Sequence, residues 1–161
     1  MINVDWKRDR VASAEKGENP TVIIRMKSGF AVMGDTQLLP GYCVLLASPK
    51  VQSLNDLKYK QRSQFLLDMS LIGEAIESIC KPRRVNYSLE GNSDSFLKDP
   101  FLHAHIFPRY EWEDITQKNY PVWRYPLGVW SNEELYYCEE NYGELKRELS
   151  IKIKELMDKA Y

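Results

Sequence analysis

The stretch from Pro100 to Tyr110 reads PFLHAHIFPRY, and it contains His103 and His105, the only 2 histidines among the 161 residues of the chain. Because side chains alternate between the two faces of a strand, residues 102–107 are predicted to form a strand with one wholly apolar face. The opposite face then carries both imidazoles, about 7 Å apart along the strand. Pro108 lacks the N–H that a sheet ladder requires, so it is predicted to end the strand.

The segments on either side of this strand predict an α+β fold. Runs of apolar and β-branched residues indicate strands, and apolar residues at helical spacing indicate helices. The other predicted elements are a loop at 1–19, strands at 21–27, 30–33, 42–47 and 85–90, a helix from Ser53 to Cys80, an ordered loop at 111–131, and a helical region from a capping-box pattern at Ser131 and Glu134 to Tyr161, with a break at Gly143. The length fits a single domain, 1–161, with helices laid against an antiparallel sheet.

The composition gives no sign of a strongly charged partner. The chain carries 22 basic and 23 acidic residues, for a formal net charge of −1. This balance provides no long-range attraction to nucleic acid or to a membrane surface, so neither is expected as a partner. No apolar run reaches the roughly 18 residues of a membrane span, and the N-terminal segment lacks the apolar core of a signal peptide, which favours a cytoplasmic protein. The widely spaced Cys43, Cys80 and Cys138 are expected to be reduced, buried thiols.

The residues alone leave three interpretations of the histidine pair. The first is a pair of polar residues on a solvated strand face. The second is a metal site with Glu111, although no further Cys/His cluster completes a coordination sphere. The third is catalysis at phosphorus, in which one neutral imidazole attacks the phosphoryl centre and the other stabilises charge on a phosphoryl oxygen. Arg109 adds a positive charge that suits a phosphate or a carboxylate.

Three stretches of the sequence, in order, resemble the histidine triad (HIT) family. LHAHIFPR at 102–109 is similar to the family's His-x-His-x-His motif, which two apolar residues and often Pro-Arg follow. LLPGYCVLLASPKVQSLNDL at 38–57 resembles the strand that leads into the family's long helix. VNYSLEGN at 85–92 resembles the strand and turn before the triad in bacterial members of the diadenosine tetraphosphate hydrolase-like branch. The resemblance covers about residues 21–110, and the C-terminal extension 111–161 lies outside it.

The resemblance implies a catalytic mechanism. His103 falls on the middle triad histidine, the nucleophile that takes up the nucleotidyl group, and His105 falls on the last. Phe101 stands where the family has its first histidine, which puts binding geometry and rate in question but leaves the nucleophile in place. The implied activity is that of a nucleotide hydrolase or nucleotidyltransferase that needs no metal or other cofactor. Its first expected substrate is a dinucleoside polyphosphate such as diadenosine tetraphosphate, and a nucleoside phosphoramidate or an adenylylated amine is the second. The alternative is a catalytically weak module that binds or senses nucleotides.

The resemblance also implies further substrate contacts and an assembly. Asn92 is expected near the phosphates, Asp35 near the ribose hydroxyls, and Arg109 at the substrate. Val32 and Tyr42 either line the base pocket or belong to the plain core. The implied architecture is a sheet of about five antiparallel strands crossed by the long helix, and two such subunits are expected to form a homodimer.

Overall fold

The computed structural model describes residues 5–91 and 101–161, and it confirms the predicted α+β class. The strands are β1 (Val22–Arg25), β2 (Gly29–Met33), β3 (Cys43–Ala47), β4 (Arg84–Gly91) and β5 (Leu102–Arg109). The helices are α1 (Arg10–Glu15), α2 (Tyr59–Cys80), α3 (Ile115–Lys118), α4 (Leu127–Trp130) and α5 (Glu139–Ala160), with 3₁₀ turns at Leu54–Asp56, Val122–Arg124 and Glu133–Leu135. The strands form one 5-stranded sheet in the order β1-β2-β3-β5-β4, and every neighbouring pair is antiparallel. Within the described ranges, no helix is long and apolar enough to cross a membrane.

Strand β5 lies between β3 and β4, so both of its edges are paired. The strand also runs beyond its predicted end, because Pro108 lies opposite Val85 and the ladder continues to Arg109. A proline removes only its own N–H. The carbonyl of Arg109 still accepts a hydrogen bond of 2.8 Å from the N–H of Arg83. The prediction that Pro108 ends the strand is therefore wrong.

One face of the sheet is closed by the two long helices. Helices α2 and α5 pack against each other and against the sheet, and the apolar side of β5 lies beneath them, as predicted. Fully buried residues of this layer include Leu45, Phe65, Ile72, Ala104, Ile106, Leu149 and Ile153. Burial of each large aliphatic or aromatic side chain contributes about 1.5–3 kcal/mol, so this layer holds β5 firmly in position.

The opposite face carries a second apolar cluster, to which the N-terminal segment contributes a helix. The prediction that residues 1–19 form a loop is wrong at α1, because Val11 and Ala14 are buried in this cluster. The side chain of Asp9 caps α1 by accepting a hydrogen bond of 2.9 Å from the N–H of Ala12. A helix this short is not stable alone, so burial and capping together account for it.

Both long helices begin later than their capping patterns predict. Ser53 and Asp56 do form a capping box, but the box closes a 3₁₀ turn, and α2 begins only after it. Ser131 does not begin a helix, because it is the C-cap of α4, and α5 begins only at Glu139. Gly143 lies inside α5 without a break, and Tyr142 and Leu145 on either side of it pack against the core layer.

The three cysteines are free thiols, as predicted, but they are not all buried. Cys43 is buried and Cys80 is half-buried within the apolar pattern. Cys138 is exposed, because it lies just before α5 and outside the packed stripe of that helix. The expectation of burial is therefore wrong for Cys138.

Candidate functional site

A cavity of about 300 Å³ opens on the sheet face opposite α2 and α5. Its volume is at the lower end of the range for small-ligand pockets. Strands β2, β3 and β5 line it, and His103 and His105 both face into it. Arg10 from α1 and Trp123 and Trp130 from the C-terminal region complete the lining, so the cavity draws on both ends of the chain. None of these three residues was predicted from the sequence.

The strand that carries His103 fixes which nitrogen of its ring is the hydrogen-bond donor. The side chain is only 7% exposed, and its Nδ1 lies 3.1 Å from the carbonyl oxygen of Phe101. A carbonyl oxygen can only accept a hydrogen bond, so Nδ1 carries the proton and donates it. The lone pair of the neutral ring is then on Nε2, which is the nitrogen left for chemistry.

His105 is neutral and fixed from several sides. Its Nδ1 lies 2.6 Å from the hydroxyl of Tyr42, and its ring stacks with Phe107 and meets Trp123 edge-on, with ring centroids 5.7 Å and 5.1 Å away. Burial, assisted by the neighbouring His103, lowers the pKa of His105 to about 3. Burial raises the pKa of Tyr42, so its phenol keeps its proton. His105 and Tyr42 are therefore both uncharged at neutral pH.

Glu90 is a member of the site that sequence analysis missed. It lies directly opposite His103 in the β4–β5 ladder, and its Oε2 is 3.8 Å from Nε2 of His105. Its Oε1 accepts a hydrogen bond of 2.8 Å from Ser88. A carboxylate only accepts, which favours the tautomer of His105 that has its proton on Nε2 and accepts from the Tyr42 hydroxyl at Nδ1. The polar alternation of β4 was visible in the sequence, but only the strand register brings Glu90 to the histidines.

Phe101 lies where the resemblance places the first triad histidine. It is 9% exposed, and its ring centroid is 5.7 Å from that of His103. The side chain supplies no hydrogen bond to the cavity, but the backbone carbonyl orients His103. The contact that orients His103 therefore comes from the backbone of Phe101 and does not depend on its side chain.

Asp35 was expected near the ribose hydroxyls, and it does line the cavity. However, its carboxylate is already paired with a residue of the same chain. Both carboxylate oxygens accept hydrogen bonds from Arg10, at 2.8 and 2.6 Å. Arg10 in turn stacks on Trp6. The bidentate pair fixes the orientation of the carboxylate and neutralises its charge.

Arg109 is not available to a substrate, which corrects the sequence prediction. Its side chain is 1% exposed and forms an ion pair of 2.9 Å with the buried Glu113. The other guanidinium hydrogens are donated to the side chain of Asn86 and the carbonyls of Gln117 and Tyr120. A guanidinium has five N–H donors, and all of them are used here. Arg109 is a structural residue because its hydrogen bonds are complete.

The remaining predicted residues have different outcomes. Asn92 lies outside the described residues. Glu111, the third ligand of the metal interpretation, pairs with Lys118 and Arg83 instead of with the histidines. Val32 and Tyr42 line the cavity and also belong to the apolar cluster beneath it, so the two roles coincide. Tyr42 acts in the site mainly through its hydroxyl.

Comparison with solved structures identifies the fold. The chain is similar to a histidine triad protein from Marinobacter aquaeolei VT8 with 19% identity and a TM-score of 0.65, over 84% of this chain and 89% of that one. It is also similar to a histidine triad protein from Bradyrhizobium japonicum with 21% identity and a TM-score of 0.64, over 87% and 95% of the two chains. A hypothetical histidine triad nucleotide-binding protein from Sulfolobus tokodaii strain 7 shares 13% identity and a TM-score of 0.65, over 91% of each chain. No protein-family model and no curated protein sequence matches this chain. At these identities the likeness establishes the histidine triad fold, as the resemblance implies.

Proposed function

We propose that this chain is a histidine triad protein, one domain in extent, that cleaves nucleotides through a nucleotidyl intermediate on His103. The observation that carries this proposal is the hydrogen bond from His103 Nδ1 to the carbonyl oxygen of Phe101. In the neutral imidazole this bond leaves the lone pair on Nε2, and that is the tautomer that attacks phosphorus. The nucleotide-binding description of the neighbour from Sulfolobus tokodaii agrees with this proposal.

The reaction proceeds in two displacements. In the first, His103 Nε2 forms a bond to the α-phosphorus of a nucleotide, and the bond from that phosphorus to the leaving group breaks, with the electron pair going to the leaving group. The Nε2–H of His105 donates a hydrogen bond to a non-bridging phosphoryl oxygen as charge builds there. In the second, water attacks the phosphorus, the P–N bond breaks, and the nucleoside monophosphate leaves while the proton of water passes to solvent.

The charge around the site bears on the substrate class. Dinucleoside polyphosphates remain the first candidate because of the motif resemblance. The cationic residue that lines the cavity, Arg10, is already paired with Asp35. Glu90 adds a carboxylate beside His105. A carboxylate repels phosphate groups and attracts an ammonium group. This observation favours, as a second candidate, a nucleoside phosphoramidate or an adenylylated amine, whose leaving group takes up a proton and becomes cationic.

Phe101 supports an alternative in which the chain binds nucleotides with little turnover. Its buried side chain offers no donor where the family has its first histidine. In this alternative the fixed polar groups of the cavity still bind a nucleotide, although the first histidine is absent. The alternative and the enzyme share the cavity and differ only in the chemical step.

A turnover assay on wild type and His103→Ala separates the two. Both proteins are offered diadenosine tetraphosphate, diadenosine triphosphate and an adenosine phosphoramidate, and product AMP is quantified by chromatography. Loss of the nucleophile is expected to lower turnover by about 10³-fold or more. Circular dichroism and AMP binding, measured on both proteins, show whether the fold and the cavity survive the substitution. If wild type binds nucleotide but releases no AMP from any of the three, the binding module is the correct function.

We further propose that the protein is a cytoplasmic homodimer. The resemblance implies the dimer. Strand β4 is an edge strand that pairs only with β5 in the described sheet, and an unpaired edge is a natural place for a second copy to associate. Three free thiols agree with a reducing compartment.

A further inference from the structure

A second cavity lies beside the histidine cavity, which is the one lined by His103 and His105. Its volume is about 340 Å³, and residues of β4, of β5 and of the segment 118–123 line it. On its β4 side, Ser88 lies directly opposite His105 in the β4–β5 ladder. Residues opposite each other in a ladder share a face of the sheet, so the two cavities lie on the same face.

Trp123 lines both cavities and so forms the boundary between them. Its ring meets that of His105 edge-on, with the centroids 5.1 Å apart. Ser88, on the wall of the second cavity, is one strand away from His105, and neighbouring strands are about 4.8 Å apart. A ligand whose reacting phosphorus is at the histidines therefore enters the second cavity by a short extension past Trp123.

The side chains around the second cavity carry an excess of positive charge. Arg84 and Lys118 line the cavity, and Arg83 lies beside it, where it donates to Asn119. Glu111 pairs with Lys118 at 2.6 Å and with Arg83 at 3.4 Å. Among the residues that the structure describes, Arg84 forms no ion pair, and no acidic side chain lines the cavity. One carboxylate is thus shared among three cations.

The histidine cavity has the opposite charge balance. Its cationic residue, Arg10, is neutralised by Asp35, and Glu90 lies beside His105. Glu90 also accepts a hydrogen bond from Ser88, so its carboxylate is at the boundary of the second cavity. The positive charge is greatest away from this boundary, and the two cavities therefore suit different parts of one ligand.

Two amide groups on the wall of the second cavity are oriented as hydrogen-bond donors. Asn86 Oδ1 accepts a hydrogen bond of 3.0 Å from Arg109, and Asn119 Oδ1 accepts two of 3.1 Å from Arg83. A guanidinium only donates, so each amide must present its oxygen to the arginine and keeps its NH₂ group for another partner. Neither NH₂ group has a partner within the described part of the chain. With Arg84, these groups provide a cation and two donors, which suit phosphate oxygens.

We propose that the second cavity binds the phosphate chain of the substrate beyond the bond that is cleaved, through Arg84, Asn86 and Asn119. This inference rests on the proposed function, because it takes the α-phosphorus to be at His103. When the bond to that phosphorus breaks, a polyphosphate leaving group gains negative charge, and Arg84 stabilises it. An amine leaving group gains nothing from a cation. The second cavity therefore supports a dinucleoside polyphosphate over a phosphoramidate.

The experiment is a calorimetric titration with inorganic tripolyphosphate, a phosphate chain that carries no nucleoside. Wild type is expected to bind a single equivalent. Arg84→Gln removes the unpaired cation, and Asn119→Asp replaces the amide donor by a carboxylate oxygen while it keeps an acceptor for Arg83. Each substitution is expected to weaken tripolyphosphate binding by about tenfold or more. Both positions are exposed, so the variants are expected to fold.

Each variant has a matched control outside both cavities. Arg147→Gln removes an exposed guanidinium of α5, which packs on the opposite face of the sheet. Asn132→Asp makes the same change from amide to carboxylate at an exposed position and keeps the acceptor for the N–H of Glu134. Both controls are expected to bind tripolyphosphate as wild type does.

Two nucleotides relate the second cavity to the substrate. AMP has no phosphate beyond the α-phosphate, so Arg84→Gln is expected to bind it as wild type does. Diadenosine tetraphosphate with methylene bridges in place of the bridging oxygens is not cleaved, and Arg84→Gln is expected to bind it more weakly by the same factor as tripolyphosphate.

Three results would overturn the proposal. The first is a wild type that binds no tripolyphosphate, and the second is that Arg84→Gln and Asn119→Asp bind it as tightly as wild type. The third is that Arg84→Gln weakens AMP and the methylene-bridged compound equally, which would place the anion at the histidines. None of these titrations requires cleavage, so an absence of turnover contradicts the enzyme and leaves the test of the second cavity intact.

Discussion

Strand β5 carries two polar centres on one face, in which His103 and Arg109 are buried and His105 is half-buried. At one end lie His103 and His105, whose Nδ1 atoms have partners within the chain while their Nε2 atoms remain open to the cavity or near Glu90. At the other end lies Arg109, whose donors are all satisfied by Glu113 and the surrounding carbonyl groups. The two centres share a strand and a face, and His103 and Arg109 are both buried, but the centres differ in the number of hydrogen-bonding positions left open.

Burial of a polar residue does not itself indicate function. A buried polar group with complete hydrogen bonds stabilises the structure around it or is tolerated there, and a buried group with an open position has something left to bind. On this basis we infer that the histidine end of β5 is the reactive end and that the arginine end is structural. Substitutions at the arginine end should therefore change the stability of the protein, and substitutions at the histidine end should change its turnover.

The largest effect is expected from Glu113→Gln. It leaves the buried guanidinium of Arg109 without a counter-charge, because the side chains of the pair are 1% and 0% exposed. Breaking a buried ion pair on one side costs about 3–5 kcal/mol, and the free energy of unfolding, measured by denaturant titration, should fall by that amount. The matched control Glu111→Gln breaks an exposed pair with Lys118 and should change it by at most about 1 kcal/mol. If Glu113→Gln loses no more stability than this control, Arg109 does not have the structural role inferred for it.

Part of the stability that the Arg109–Glu113 ion pair contributes should be lost at acidic pH. Burial acts to raise the pKa of Glu113, but hydrogen bonds from Arg109, from the Tyr125 hydroxyl and from the Tyr110 N–H outweigh it and lower the pKa below its usual value of 4.5. A carboxyl with a depressed pKa contributes stability above its unfolded pKa and loses it as pH falls through the folded one. Wild type should therefore lose stability as pH falls below about 4.5, and Glu113→Gln should show a shallower loss over the same interval. Parallel curves for the two proteins, from denaturant titrations at each pH, would contradict this assignment.

The smallest effect is expected from Tyr42→Phe, which acts at the histidine end. It removes the hydroxyl that fixes His105 Nδ1, 2.6 Å away. We expect kcat to fall by about tenfold, the equivalent of ~1.4 kcal/mol, because the ring is no longer held in one tautomer. Tyr110→Phe is the matched control: its hydroxyl donates to the carbonyl of Pro40 away from the cavity lining. It should leave kcat unchanged, and equal losses of kcat in both variants would indicate a general packing defect.

The fold was largely predictable because its signals are local. Alternation along β5 placed Ala104 and Ile106 in the core, and helical spacing located α2 and α5. The starts of these helices were not predictable from capping patterns, since a capping box such as Ser53 with Asp56 also fits a 3₁₀ turn. Helix α1 was not predicted, because it has too few buried side chains for its sequence to show apolar residues at helical spacing.

The site was only partly predictable because its remaining members depend on tertiary pairing. His103 and His105 were evident from their neighbours in sequence. Glu90 requires the register of β4 against β5, and Arg10 requires α1 to fold onto the sheet. Arg109 was misassigned because nothing local shows that Glu113 is buried beside it.

The inner position of β5 also determines when the site appears during synthesis. It is the last strand of the sheet to leave the ribosome, yet it takes its place between two strands made earlier. Until then β3 and β4 both present an open edge, and such edges favour association between nascent chains. The cavity is completed later still, when Trp123 and Trp130 emerge and pack over the histidine face. A chain interrupted before Trp130 therefore lacks part of the cavity wall on the histidine face.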